Sequence, residues 1–392
     1  MKPKSLLLKI KYELVIFAAL LAQMAVRINW KQPVPVNYLT FYLLDFKVGF
    51  ISRGLIGSFV DLLTNKATEK WLTGFILLTF AAVYFILALL LGKLIRSADA
   101  GMRNSLIFLT ALALFTCFTG RVLLNNIGLM DIYWFLFALL AMVCVRNKYA
   151  RWLVPLLCFM GLAAHYGFAM TFLPFIFVLL IVETVNGKYK ISSIIPAVVS
   201  FLISVCSAVY FTLFANGFLN FDSEGTYKYL SAKADFPVWR YYVDAYLYYA
   251  DANSGKKLGL SDYLAILREA ASQSLSATHL ISTLMLLLPM IILFFLVWKN
   301  AFKLGKNKAE KFIFLLCMAL PLPVLPSFVF STDAPRFLGE ILIVQFMTLF
   351  YLAYVKNAAL LASLKKAENF FRKYPMLLIL LFILSLSAFF FK

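Results

Sequence analysis

Apolar residues run along this chain in long blocks broken by short basic segments. Eleven blocks are long enough to cross or nearly cross a bilayer: 12–29, 71–92, 104–119, 127–145, 152–167, 169–186, 191–215, 276–298, 312–330, 337–355 and 375–391. A crossing helix needs about 17–25 residues. The fifth and sixth blocks are short and form a tight pair around His165–Ala169. The pattern predicts an all-α polytopic membrane protein of about 11 transmembrane helices. Its expected organisation is an N-terminal seven-span module over 1–215, an outer loop over 216–275 and a C-terminal four-span module over 276–392. Two long outer loops interrupt it, about 30–70 and about 216–275. Mixed apolar and polar spacing over 36–63 predicts one or two short helices at the outer surface. The tyrosine-rich 216–275 loop is expected to hold more.

Composition agrees with this reading. Hydrophobic residues make up 63% of the chain and charged ones 14%, with a mean hydropathy of +0.88; a soluble domain is roughly half apolar. The five cysteines lie in apolar blocks without zinc-like spacing, so they predict neither a disulfide framework nor a metal site. The first block lacks a small-residue cleavage site and ten more follow, so no cleavable signal peptide is expected.

Charge sets the orientation. The formal net charge is +19. With the N-terminus in the cytoplasm, the inner segments carry 22 of the 37 Lys and Arg but only 5 of the 18 acids. The outer segments carry the remaining 15 bases and 13 acids. This asymmetry predicts a multi-pass protein of the cytoplasmic membrane, N-terminus inside and C-terminus outside. It also removes the case for nucleic acid, since the basic segments are short and lack interleaved aromatics.

On this topology the ionisable residues cluster at the outer face. Asp45, Lys47 and Arg53 lie in FYLLDFKVGFISRGLIGS of the first loop. Arg121 ends the third block, Asp131 opens the fourth and His165 ends the fifth. Asp333 and Arg336 lie at the mouth of the tenth, with Glu340 one turn in. Such residues near the membrane interior are costly and are candidates for function. Each also has a structural explanation. Asp131 and Asp333 suit helix N-termini. Arg121 and Arg336 can snorkel. Lys47 suits a headgroup contact, and His165 can be a satisfied core imidazole. The tyrosines of the second loop suit either an interfacial belt or ligand stacking.

Acids and cations together at the outer rim suit transfer of a group from a lipid-linked phosphate donor. A positioned Asp can take the acceptor's proton, and Arg, Lys or His can stabilise the leaving phosphate. No Walker A, HExxH, GxSxG, GxGxxG or CxxC pattern competes. No cofactor is expected, and no metal is indicated. A transporter or flippase of lipid-linked sugars is the alternative. It predicts charges near mid-bilayer, where this chain has almost none.

The architecture resembles the GT-C class of membrane glycosyltransferases, which use polyprenyl-phosphate-linked sugars. LLDFKVGFISRG stands where that class has its first-loop motif, GLMDIYW where it has a second acid, and 216–275 where it has the loop after the seventh span. The class often pairs acids in the first loop, whereas Asp45 stands alone. The chain also resembles bacterial O-antigen and capsule repeat-unit polymerases. The resemblance implies an inverting transferase in cell-surface polysaccharide assembly. Asp45 is its base, with Asp131 or Asp333 as second acid, and Arg53, Arg121, His165 and Arg336 bind phosphate. The partners implied are a polyprenyl-linked sugar donor, a glycan or glycolipid acceptor and membrane lipids.

Overall fold

The computed structural model describes residues 10–116, 123–215, 218–247, 268, 277–325, 334–377 and 379–380. It is all-helical, with no strand among the described residues. Extended backbone pairs only as isolated bridges, two of which join the first long loop to the second: Gly49 with Leu219, and Ala67 with Ala234.

Helices occupy most of the apolar blocks. They are α1 (Lys11–Arg27), α4 (Glu69–Ser97), α5 (Ala100–Thr116), α6 (Asp131–Arg146), α7 (Val154–Ala164), α8 (Phe172–Asn186), α9 (Ile191–Val209), α11 (Ala277–Leu304), α12 (Lys308–Ala319) and α13 (Ala334–Tyr354). The loops add α2 (Val36–Leu39), α3 (Gly54–Leu63) and α10 (Ser223–Ala232), so both long loops carry short helices. The basic segment after α13 is also a helix, α14 (Ala358–Lys373), which the apolar pattern alone does not predict. Among the described residues, three helical stretches are long and apolar enough to cross a membrane: Glu69–Ser97, Tyr166–Asn186 and Ile191–Phe214. The pair Gly339–Tyr354 and Ala358–Lys373 passes the same test together but is bent by 119°. Most of the last predicted block, 375–391, lies outside the described residues.

The bend has a local cause. The Asn357 N–H donates to Leu352 and the Lys356 N–H to Ala353, which is the Schellman pattern that ends a helix. Lys356 takes a left-handed φ of 56° to make it. Asn357 then caps α14 by accepting from the Leu360 amide. The end of α8 repeats the pattern, with Tyr189 donating to Thr184 and Lys188 to Val185.

Two compact units divide the chain. One comprises Met1–Ile28, Ala81–Asn125 and Ala270–Lys392. There, one face of α14 packs on α11 and α5 through Leu360, Leu364 and Phe371, and Ser105 donates to Glu368. Glu13, buried in α1, pairs with Arg96 at 2.6 Å. The other unit comprises Asn29–Phe80 and Asn126–Glu269. Its core is the α6–α7–α8–α9 cluster around Trp134, Phe135, Phe168, Phe172 and Phe175. At one end of this cluster, buried Arg151 ties the helices together. It donates to the Val145 carbonyl, Ser193 Oγ and Glu183. Both long loops belong to this unit, and α3 packs on α7.

Candidate functional site

The first loop is built around Asp45. Its Oδ1 accepts from the amides of Lys47 at 2.9 Å and Val48 at 3.3 Å. This Asx turn brings the chain back on itself, and Ser58 Oγ accepts from the Phe46 amide. α3 then lies close against the turn. Gly57 permits this, because a Cβ there would overlap the Leu44 carbonyl.

The second loop supplies the other half. Asp45 Oδ2 accepts from Tyr229 Oη at 2.7 Å and Lys233 Nζ at 2.6 Å. Lys233 also reaches Asp61 at 2.7 Å, and Asp61 in turn meets Lys47 at 2.7 Å. The result is an alternating chain of charges, Asp45–Lys233–Asp61–Lys47, running from a carboxylate only 1% exposed out to solvent. Burial pushes the Asp61 carboxyl up, but hydrogen bonds from Lys233 and Lys47 outweigh it and hold the group below the ordinary range. The bond to Asp61 raises the Lys47 ammonium. Burial, then the Asp45 carboxylate, pushes the Tyr229 phenol well up. Phe221 stacks on Tyr229. Asn220 donates to the Lys47 carbonyl through its side chain and to Val48 through its amide.

Arg53 forms a second centre. It precedes α3 with a left-handed φ of 78°, and its amide donates to Ala163 at the end of α7. Its guanidinium lies over Phe41 at 4.7 Å and places Nη2 2.7 Å from His165 Nε2. His165 sits at the break between α7 and a 3-10 turn over Tyr166–Ala169, where Nδ1 accepts from the Gly167 amide at 3.0 Å. Tyr166 and Trp134 flank the imidazole at 4.6 and 5.0 Å between centroids. Tyr242 also lies against Phe41 at 4.4 Å and leads to half-exposed Trp239 and Tyr241.

Asp131 is the first residue of α6, not its cap, and is 1% exposed. A carboxylate in a first turn is favoured by the helix dipole. Tyr42 is its neighbour. Burial pushes that phenol well up, with Tyr133 and the Asp131 charge adding to the effect.

The second unit thus holds Asp45, Arg53, Asp131 and His165, and joins Arg53 directly to His165. Arg336 belongs to the other unit, where it lies 3.9 Å from Glu340 on the same helix. Arg121 and Asp333 lie outside the described residues. Lys47, read from sequence as a headgroup contact, is instead paired with Asp61. Sequence reasoning passed over Asp61 and Lys233, and took Tyr229 only as one of the second loop's tyrosines. Tyr229 and Lys233 are four residues apart in YKYLSAK and therefore share a helix face, the one signal that could have picked them out. Among the described residues no three His, Cys, Asp or Glu side chains form a group that could hold a metal ion.

The chain matches no protein-family model, no curated protein and no solved structure.

Proposed function

We propose that this chain is a polytopic membrane glycosyltransferase. It has about eleven spans, its N-terminus in the cytoplasm and its reactive groups at the outer face of the cytoplasmic membrane. It moves a sugar or oligosaccharide from a polyprenyl-linked donor to a glycan or glycolipid acceptor. The observation that carries the reading is the Arg53–His165 pair. It is contributed by segments 112 residues apart and walled by aromatic rings. A cationic donor group in so apolar a setting suits a lipid-linked phosphate, because hydrogen bonds to an anion strengthen where water is excluded.

Asp45 serves as the acceptor's base, with Asp131 as second acid. Arg53 and His165 bind phosphate. At rest both Asp45 oxygens are occupied, so the base is idle. Lys233, shared between Asp45 and Asp61, is the group that can turn to an incoming phosphate. Its departure leaves a lone pair on Asp45 Oδ2 for the acceptor hydroxyl. The proton then passes to Asp45, the glycosidic bond forms and the lipid phosphate leaves with the bonding electrons.

The test is the surface glycan of the producing cell with Asp45→Asn, beside Asp45→Asn/Lys233→Met to remove the unbalanced charge. Both variants are expected to abolish transfer, with the double variant folding better. An unchanged glycan at normal expression would overturn the assignment of the base. A truncated repeat marks a single-sugar transferase, and accumulated single repeats mark a polymerase. A glycan left intact by deletion of the whole chain would overturn the function itself.

A further inference from the structure

The second long loop carries a surface of its own. Trp239, Arg240 and Tyr241 stand where the chain enters a π-turn over Tyr242–Leu247. All three are exposed, Trp239 by 39% and Tyr241 by 47%. Such turns are uncommon and gather at functional sites. The backbone that presents these side chains is fixed. The Trp239 amide donates to Thr40 Oγ1 at 3.1 Å, tying the segment to the first loop. The Tyr242 amide donates to the Trp239 carbonyl, and Val238 and Val243 are buried on either side. The indole meets Tyr242 nearly at right angles at 4.2 Å and Tyr241 at 5.5 Å with a tilt of 34°. Two aromatic rings are thus held in place yet open to solvent. Little ordering remains to be done when a ligand settles on them.

The rim of this surface is polar and electrically balanced. Arg240 pairs with Glu224 at 2.8 Å and Asp244 at 3.3 Å, and its guanidinium lies 5.2 Å from the Tyr227 ring. Ser223 donates to Asp244. Lys228 lies 3.7 Å from Glu224, so two cations offset two carboxylates. Asp222 is turned to α10, which it caps through the Gly225 amide. This rim offers donors and acceptors without an excess of positive charge to draw an anionic headgroup. An aromatic belt at a lipid interface requires no such rim. Rings bordered by donors and acceptors fit a molecule with an apolar face and hydroxyl edges, which is the build of a pyranose.

The surface leads to the groups described above. Tyr242, beside Trp239, lies 4.4 Å from Phe41, and Phe41 carries the Arg53 guanidinium at 4.7 Å. α10 joins the two places again, since its Glu224 holds Arg240 and its Tyr229 holds Asp45. Building on the transferase reading above, we propose that Trp239 and Tyr241 stack against a sugar ring of the glycan acceptor. Arg240 and Glu224, each about half exposed, meet its hydroxyls. The ligand is a neutral oligosaccharide, bound at a sugar other than the one that reacts at Asp45.

The probe is the oligosaccharide released by mild acid from the producing cell's own surface glycan. It is titrated by calorimetry into the full-length protein in phosphatidylcholine nanodiscs, beside a polyprenyl phosphate and a short-chain phosphatidylglycerol. Trp239→Ala and Tyr241→Ala are each expected to weaken oligosaccharide binding about tenfold or more, a difference of about 1.4 kcal/mol. Trp239→Phe, which keeps a ring, should stay within about threefold. Affinity for the polyprenyl phosphate should not move in any of the three. Melting temperatures show which variants are folded, and Tyr241→Ala removes a side chain that is largely in solvent. Oligosaccharide binding that is equal in the parent and both alanine variants, or absent from all of them, would overturn the proposal. So would a loss confined to phosphatidylglycerol, which would reassign the rings to the lipid interface. If the proposal fails while Arg53→Gly loses its surface glycan, the transferase reading survives alone. If the oligosaccharide binds as expected while the glycan of Arg53→Gly stays intact, the sugar platform survives and the transferase reading does not.

Discussion

Arg53 holds a backbone conformation that side chains other than glycine avoid. Its φ of 78° costs about 1 kcal/mol that glycine would not incur. The offsetting contact with Phe41 is worth about 0.5–2 kcal/mol. Arg53→Gly should therefore melt within a few degrees of the parent, by thermal denaturation in detergent, even as it loses the guanidinium. Asp61 makes a second prediction at this scale. Its folded value lies below the ordinary one, so its contribution to stability is fully present above about pH 4 and is lost as pH falls through the lowered value. Asp61→Asn should lower the melting temperature at neutral pH and flatten its fall on the acid side. At this scale the sequence was partly legible. Asp45, Arg53 and His165 stand out as polar residues in apolar surroundings. Their partners do not: Lys233 follows a helix polar enough for any charge to pass unnoticed, and Asp61 lies in a short helix expected at the outer surface, where one polar residue is ordinary. Only the fold brings Lys233 to a residue 188 positions earlier.

Elements are legible where the apolar pattern alone decides them. Most blocks coincide with helices because backbone hydrogen bonding and apolar burial ask for the same thing there, whereas the helix in 312–330 ends at Ala319. α14 escapes the apolar pattern because its composition is mixed. Its apolar positions become one face only at helical spacing, and they bury Leu360, Leu364 and Phe371 together. Two substitutions probe how the elements end and meet. Lys356→Gly, at the left-handed residue between α13 and α14, should stabilise the protein by about 0.5–1 kcal/mol, read as a raised melting temperature. Gly57→Ala works in the opposite direction. Its methyl group runs into the Leu44 backbone, which cannot rotate away as a side chain could. A loss of about 3 kcal/mol or more is expected, with the Asp45 turn displaced from α3. Measured unfolding in denaturant would reveal a smaller loss if α3 can slide.

For the whole molecule, the charge distribution makes a topological prediction. A cysteine at Lys47 should react with a membrane-impermeant maleimide from outside intact cells. A cysteine at Lys148 should react only after the cells are opened. The reverse result would invert the protein and place Arg53 and His165 on the cytoplasmic side. What the sequence could not convey at this scale is that the two compact units are each made of separated segments. Hydropathy ranks segments one at a time and carries no record of which of them associate.

That interleaving has a consequence in time. Asp45 meets Tyr229 and Lys233 across 184 and 188 positions, and residues 81–125, which belong to the other unit, are synthesised in between. A ribosome adding about 5–20 residues per second makes Asp45 wait roughly 10–40 s for Lys233 to be made. Throughout that interval Asp45 has its Asx turn but neither Tyr229 nor Lys233, and the strand-like bridges of Gly49 and Ala67 have no mates. A nascent chain arrested before Leu219 should expose the first loop to protease, and one arrested well past Lys233 should protect it. The latch between the loops thus records the order of synthesis, closing only when the last of its parts has left the ribosome.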